Sequence, residues 1–172
     1  MTLKVAKRGS ISPFIVMDVM RAASIREAKG ENIIHLEVGQ PGTAAPPPVL
    51  QAAHAALDSD HLGYTLAFGI DPLRRRLSQH YQDFYNLSVP AQRIAITTGS
   101  SCGFILAFLS TFDPGDRVAL ANPGYPAYRN ILKALGVEPV GIPVGPRSNF
   151  QPTPEILDAA PSVGGLIFES FS

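Results

Sequence analysis

Four short apolar runs, residues 93–98, 117–121, 138–142 and 164–168, alternate with stretches of helical texture at 101–112, 125–135 and 153–160. No other feature limits the fold as strongly. Strands separated by single helices and short loops pair in parallel through crossovers, which predicts an α/β sheet. A parallel sheet needs helices over both faces. The last run ends close to residue 172, so the expected architecture is an unfinished one.

The first 90 residues have a different texture, that of a mixed arm followed by a helical layer. Ser12-Pro13 reads as an N-cap with proline at the first helical position, opening a helix to about Lys29 with Gly30 as its stop. Residues 33–38 form a short extended run that ends in Gly39-Gln40-Pro41, and the three prolines within 44–48 predict a loop. A second helix follows with Val49, Leu50, Ala53, Ala56 and Leu57 on one face. Asp71-Pro72 opens a third, in which Leu73, Leu77, Tyr81 and Phe84 recur at helical spacing.

Composition narrows the function classes. With 14 basic and 14 acidic residues the chain has no electrostatic reason to bind nucleic acid or an anionic membrane. The densest basic cluster, Arg74-Arg75-Arg76, points in different directions on a helix and reads as a solvated face. One cysteine, Cys102, excludes an intramolecular disulfide and suits a reducing compartment. No apolar run reaches the roughly 20 residues of a membrane span. The first ten residues lack the apolar core of a signal peptide. A cytoplasmic protein is expected.

Chemistry is concentrated at three places. Thr97-Thr98-Gly99-Ser100-Ser101-Cys102-Gly103 joins a predicted strand to a predicted helix. The free N–H groups of a helix start, with two serine hydroxyls, make a cradle for a phosphate dianion. The same residues also suit a tight turn in which serine merely caps the helix. Neither common nucleotide motif fits. The glycines lack dinucleotide spacing, no acid ends the next strand at Ala121-Asn122, and no Gly-Lys-Ser/Thr occurs. Asn122-Pro123-Gly124-Tyr125-Pro126-Ala127-Tyr128 follows at the carboxyl end of that strand, the edge where open α/β sheets bind ligands. Tyr125, held between prolines, suits a flat wall against an aromatic cofactor, or a proline-ordered turn with core tyrosines. The stretch from Tyr64 to Arg74 reads by itself as a loop and a capped helix start.

Together these stretches resemble the class I and II aminotransferases of the fold-type I pyridoxal-phosphate family. The resemblance lies in order and spacing: a Gly39-x-Pro41 turn, Tyr64-x-x-x-x-Gly69-x-x-x-Leu73-Arg74, Thr98-Gly99-Ser100-Ser101, and Pro123-x-Tyr125-Pro126-x-Tyr128. Asp113-Pro114-Gly115-Asp116 is also typical. The resemblance implies an incomplete three-layer large domain with a mostly parallel sheet over 46–172, preceded by an N-terminal helical arm over 1–45. It implies pyridoxal 5'-phosphate as cofactor. Gly99, Ser100 and Ser101 would hold its phosphate with Cys102 beside them, and Tyr125 would stack on its ring. Gly39 would line the pocket for the substrate carboxylate. Tyr64 would reach the phosphate of a neighbouring subunit, implying a homodimer acting on an amino acid and a 2-oxo acid.

Such chemistry also needs a lysine for the Schiff base and an acid against the pyridinium nitrogen. The four lysines, Lys4, Lys7, Lys29 and Lys133, do not stand in the family's context for that role. Phe171 stands where the family usually has proline, just before an asparagine loop that would follow. The expectation is an N-terminal portion of an aminotransferase, inactive alone. Alternatives are a non-catalytic cofactor-binding or dimerisation module, or part of an acyl-condensing synthase or lyase of the same fold type.

Overall fold

A computed structural model describes residues 3–169. They fall into two compact units, one formed by residues up to Asp18 together with those from Thr98 onward, the other by Val19–Thr97. Ser170, Phe171 and Ser172, including the expected proline position, lie outside the described residues.

The unit from Thr98 onward is an α/β layer structure. Helix α4 (Ser100–Thr111) leads to strand β1 (Arg117–Asn122), helix α5 (Pro126–Leu135), strand β2 (Glu138–Pro143), the short helix α6 (Pro154–Asp158) and strand β3 (Gly165–Ile167). The sheet is wholly parallel in the order β2-β1-β3, with Ala119 opposite both Val140 and Leu166. Alternation along β1 sends side chains to both faces. Val118 and Leu120 pack with Phe108 of α4, Leu132 of α5 and Val137. Ala119 faces the other way with Val140 and Ile142, covered by Ile156, Ala160 and Val163. Helices on both faces explain why β1 is buried along its centre, and why that run reads as continuously apolar. This is the predicted α/β class with its parallel sheet.

Local signals set most element starts. Thr153 caps α6, its side-chain oxygen accepting from the Ile156 N–H at 3.4 Å. Other starts differ from expectation. Helix α1 (Ile15–Glu27) begins after Ser12-Pro13, and the Ser12 carbonyl accepts from Asn130 of α5 at 3.4 Å instead. Helix α2 (Pro47–Ser59) takes two of the three prolines into its first turn, where a missing N–H costs no helical bond. Helix α3 (Asp71–Tyr85) is capped by Ile70, so Asp71 is its first residue and pairs with Arg74 at 3.1 Å.

One strand expectation fails. Residues 93–98 belong to no sheet among the described residues, and neither does the 33–38 run. Ile94 is extended, and the Ile96 N–H bonds the Phe68 carbonyl at 3.1 Å, but one such bond is not a ladder. A short apolar run is compatible with a strand, yet only a neighbouring strand supplies its hydrogen bonds. Arg74 also departs from a solvated face. Its side chain is 13% exposed, donates to the Ile94 carbonyl at 2.9 Å and lies over the Phe68 ring. No described helix is long and apolar enough to cross a membrane.

Candidate functional site

The chain leaves β1 for β2 on one side and returns to β3 on the other, so the carboxyl ends of β1 and β3 flank a point where strand order reverses. Open α/β sheets bind ligands at such a point. A cavity of about 380 Å³ opens there, lined by Leu120, Ala121, Tyr125, Tyr128, Phe168 and Glu169 among others. Its size suits a small aromatic ligand.

Tyr125 enters this cavity from the turn that follows β1. The Asn122–Pro123 bond is cis. At Gly124 a Cβ would collide with the Ala121 carbonyl oxygen, so only glycine lets the backbone turn this tightly against the strand end. Tyr125 then caps α5 and remains 44% exposed. Its ring meets Tyr128 edge-on at 5.2 Å and Phe14 at 6.4 Å. Burial, and then the Glu169 carboxylate, raise the Tyr128 hydroxyl above its ordinary pKa.

Gly99 opens α4 with φ +84° and ψ 163°, a backbone conformation that L side chains rarely adopt. As a glycine, the N-cap residue offers this helix no side-chain cap. Ser100 and Ser101 are exposed in its first turn, and Cys102 is half-buried. The first N–H groups of a helix have no partner within the helix, and they point along the axis toward any anion placed there. A phosphate dianion therefore fits this helix start by charge and by donor type. Phe104, one turn further along, stacks edge-on with Tyr128 at 4.7 Å. Through that pair α4 is coupled to the Tyr125 turn.

The structure thus brings Gly99, Ser100, Ser101, Cys102 and Tyr125 into one unit, with Tyr125 lining the cavity and the α4 start outside its wall. Gly39 and Tyr64 belong to the other unit. Both are exposed, Tyr64 completely. Several lining residues were not read as site residues from the sequence, among them Phe150, Gln151, Pro152, Phe168 and Glu169. Phe150 has φ +59°, but nothing in its neighbours' identity announces that. Lys133 sits in the last turn of α5, about 12 Å along the axis from Tyr125 at 1.5 Å per residue.

Comparison with known proteins bears on the family and the fold. Residues 31–171, more than half of the chain, match the profile of aminotransferase class I and II. The valine–pyruvate aminotransferase of Mycobacterium tuberculosis is 49% identical over 171 residues, which cover 99% of this chain and 44% of that protein. The (5-formylfuran-3-yl)methyl phosphate transaminase of Methanocaldococcus jannaschii is 39% identical over 74% of this chain and 34% of its own length. Among solved structures, an aminotransferase from Mycobacterium tuberculosis superposes with a TM-score of 0.90 at 49% identity, over 96% of this chain and 43% of that one. Aspartate aminotransferase from Thermus thermophilus with maleate gives 0.87 at 25% identity, over 94% and 42%. The chain therefore spans less than half the length of these relatives. It belongs to the class I and II aminotransferase family.

Proposed function

We propose that this chain is the cofactor-holding portion of a pyridoxal-phosphate-dependent aminotransferase, which moves an amino group from an amino acid to a 2-oxo acid. One observation carries the reading. A helix start opened by glycine at positive φ lies one aromatic pair away from a half-exposed tyrosine at the sheet's switch point. When bound, the cofactor supplies an electron sink that stabilises a carbanion next to its ring.

The residues act around that group. The backbone N–H groups and hydroxyls of Ser100 and Ser101 hold the phosphate dianion, favoured by the positive end of α4, with Cys102 beside them. Tyr125 lies against the pyridine ring and keeps water from that face. Gly39, without a side chain, leaves room for the substrate carboxylate. Tyr64 is fully exposed within the chain, as a side chain directed to a second subunit's phosphate must be, and on this reading the protein is a homodimer. We assign residues 1–45 to the arm, 46–172 to the large domain, and the protein to the cytoplasm. Valine and pyruvate, named for the Mycobacterium tuberculosis relative, are the substrate pair to try first.

Pyridoxine 5'-phosphate keeps the ring and phosphate but has no aldehyde to react with surface lysines, so it isolates the binding step. Titrated into the chain, it should bind, compete with inorganic phosphate, and weaken about tenfold in a Ser100→Ala/Ser101→Ala variant through lost charge-assisted hydrogen bonds. Equal affinity in the variant and the parent would overturn the reading.

A further inference from the structure

His35 lies between two carboxylates that the proposed function does not use. Its Nδ1 is 2.6 Å from Glu37 Oε1, and its Nε2 is 2.8 Å from Glu27 Oε1. An ionised carboxylate only accepts, and a neutral imidazole has one N–H. Two bonds this short therefore require both ring nitrogens to donate, which makes the ring an imidazolium. Glu27 is the last residue of α1, where the helix dipole disfavours a negative charge and a neighbouring cation relieves it. The Glu37 side chain is only 12% exposed, so its contact with His35 is partly shielded from water. The other charges at this end of α1 are paired elsewhere or lie in the turn: Arg26 donates to Glu31 at 2.7 Å, and Lys29 follows.

We propose that His35 is a positioning residue for the segment leading into Gly39: as an imidazolium clasped by Glu27 and Glu37, it ties residues 33–38 to the end of α1. The clasp spans eight residues in one direction and two in the other, and Gly39 follows Glu37 by two. With both bonds made, the segment entering Gly39 has a fixed start although it belongs to no sheet. The two carboxylates, Glu37 foremost, hold the His35 pKa up to about 9, so the clasp is closed at neutral pH. His35 in turn holds Glu37 below the usual carboxylate range. The proposal rests on the reading of Gly39 as a border of the substrate carboxylate site.

The test uses the isotopically labelled chain. At pH 8 the ring-nitrogen spectrum of His35 should show both nitrogens protonated, and Glu37→Gln should bring its titration midpoint down toward the ordinary histidine value. Amide exchange at residues 38–40 should be about tenfold faster in His35→Gln and in Glu27→Gln, the size expected for loss of one local restraint. Glu31→Gln, which breaks the neighbouring Arg26 pair, should leave that exchange unchanged. A neutral single tautomer at pH 8, or unchanged exchange in both clasp variants, overturns the proposal. Neither measurement involves the cofactor. A failed clasp with intact pyridoxine phosphate binding therefore counts against this inference alone, and an intact clasp without binding counts against the proposed function.

Discussion

Phe104 and Tyr128 meet edge-to-face, their ring centroids 4.7 Å apart and their planes at 77°. This contact is where the second turn of α4 and the first turn of α5 are fastened together. Aromatic pairs in this geometry contribute beyond the area they bury. Phe104→Ala should cost roughly 2 kcal/mol, less than a fully buried phenylalanine because the residue is half-exposed. Denaturant midpoints would measure it, and pyridoxine 5'-phosphate affinity should fall in parallel.

Gly99→Ala isolates a backbone effect. An added methyl would meet nothing within 4 Å, so packing is not the obstacle. The obstacle is φ at +84° with ψ at 163°, a region that is essentially glycine-only and costs another residue about 1–3 kcal/mol. The variant should remain folded, with a thermal midpoint lowered by a few degrees and weaker binding of inorganic phosphate. An unchanged phosphate affinity would show that the helix start is not the anion site.

The core should respond unequally across the chain. Leu132 is fully buried between α5 and β1, and Leu132→Ala should cost about 2–5 kcal/mol. Leu57 on α2 is 67% exposed, and Leu57→Ala should stay within about 0.5 kcal/mol. Urea unfolding of the two variants side by side measures the contrast.

The His35 clasp gives stability a pH dependence of definite sign. The folded pKa of about 9 lies above the ordinary value of 6.5. Its contribution is therefore complete below 6.5 and is lost as pH rises through 9. The Glu37 carboxyl is shifted down, so its share is present above 4.5 and is lost as pH falls through the lowered value. The thermal midpoint should decline from pH 6.5 to 9 in the parent protein, and His35→Gln should flatten that decline.

Assayed alone with pyridoxal phosphate, valine and pyruvate, the 172-residue chain should form no 2-oxo acid product from valine. The lysine on α5 lies about two helical turns from Tyr125, too far along the axis to act at the ring. Measured turnover would show that one of the four lysines serves after all.

Helices were legible because their determinants are local. Proline in a first turn, an apolar stripe and a glycine after the last turn act within a few residues, so α4 and α5 differ from their predicted bounds by one residue and α3 opens at the predicted Asp71-Pro72. The turn at Gly99 was legible for the same reason, since its small residues answer to that turn alone. The cavity was not. Phe150 and Phe168 come from loops far apart in the chain, and only the β2-β1-β3 order carries them to the same side of Tyr125.

What the amino-acid sequence determined by itself is the set of elements and the order of its motifs, because backbone preference and side-chain periodicity are properties of neighbouring residues. Tertiary structure decided which apolar runs became strands. Residues 117–122 found partners on both sides, while residues 93–98, with comparable alternation, found none among the described residues. It also decided that Arg74 anchors a loop and that His35 lies between two carboxylates. Those outcomes depend on hydrogen-bond partners brought close by folding, and no local pattern specifies a partner.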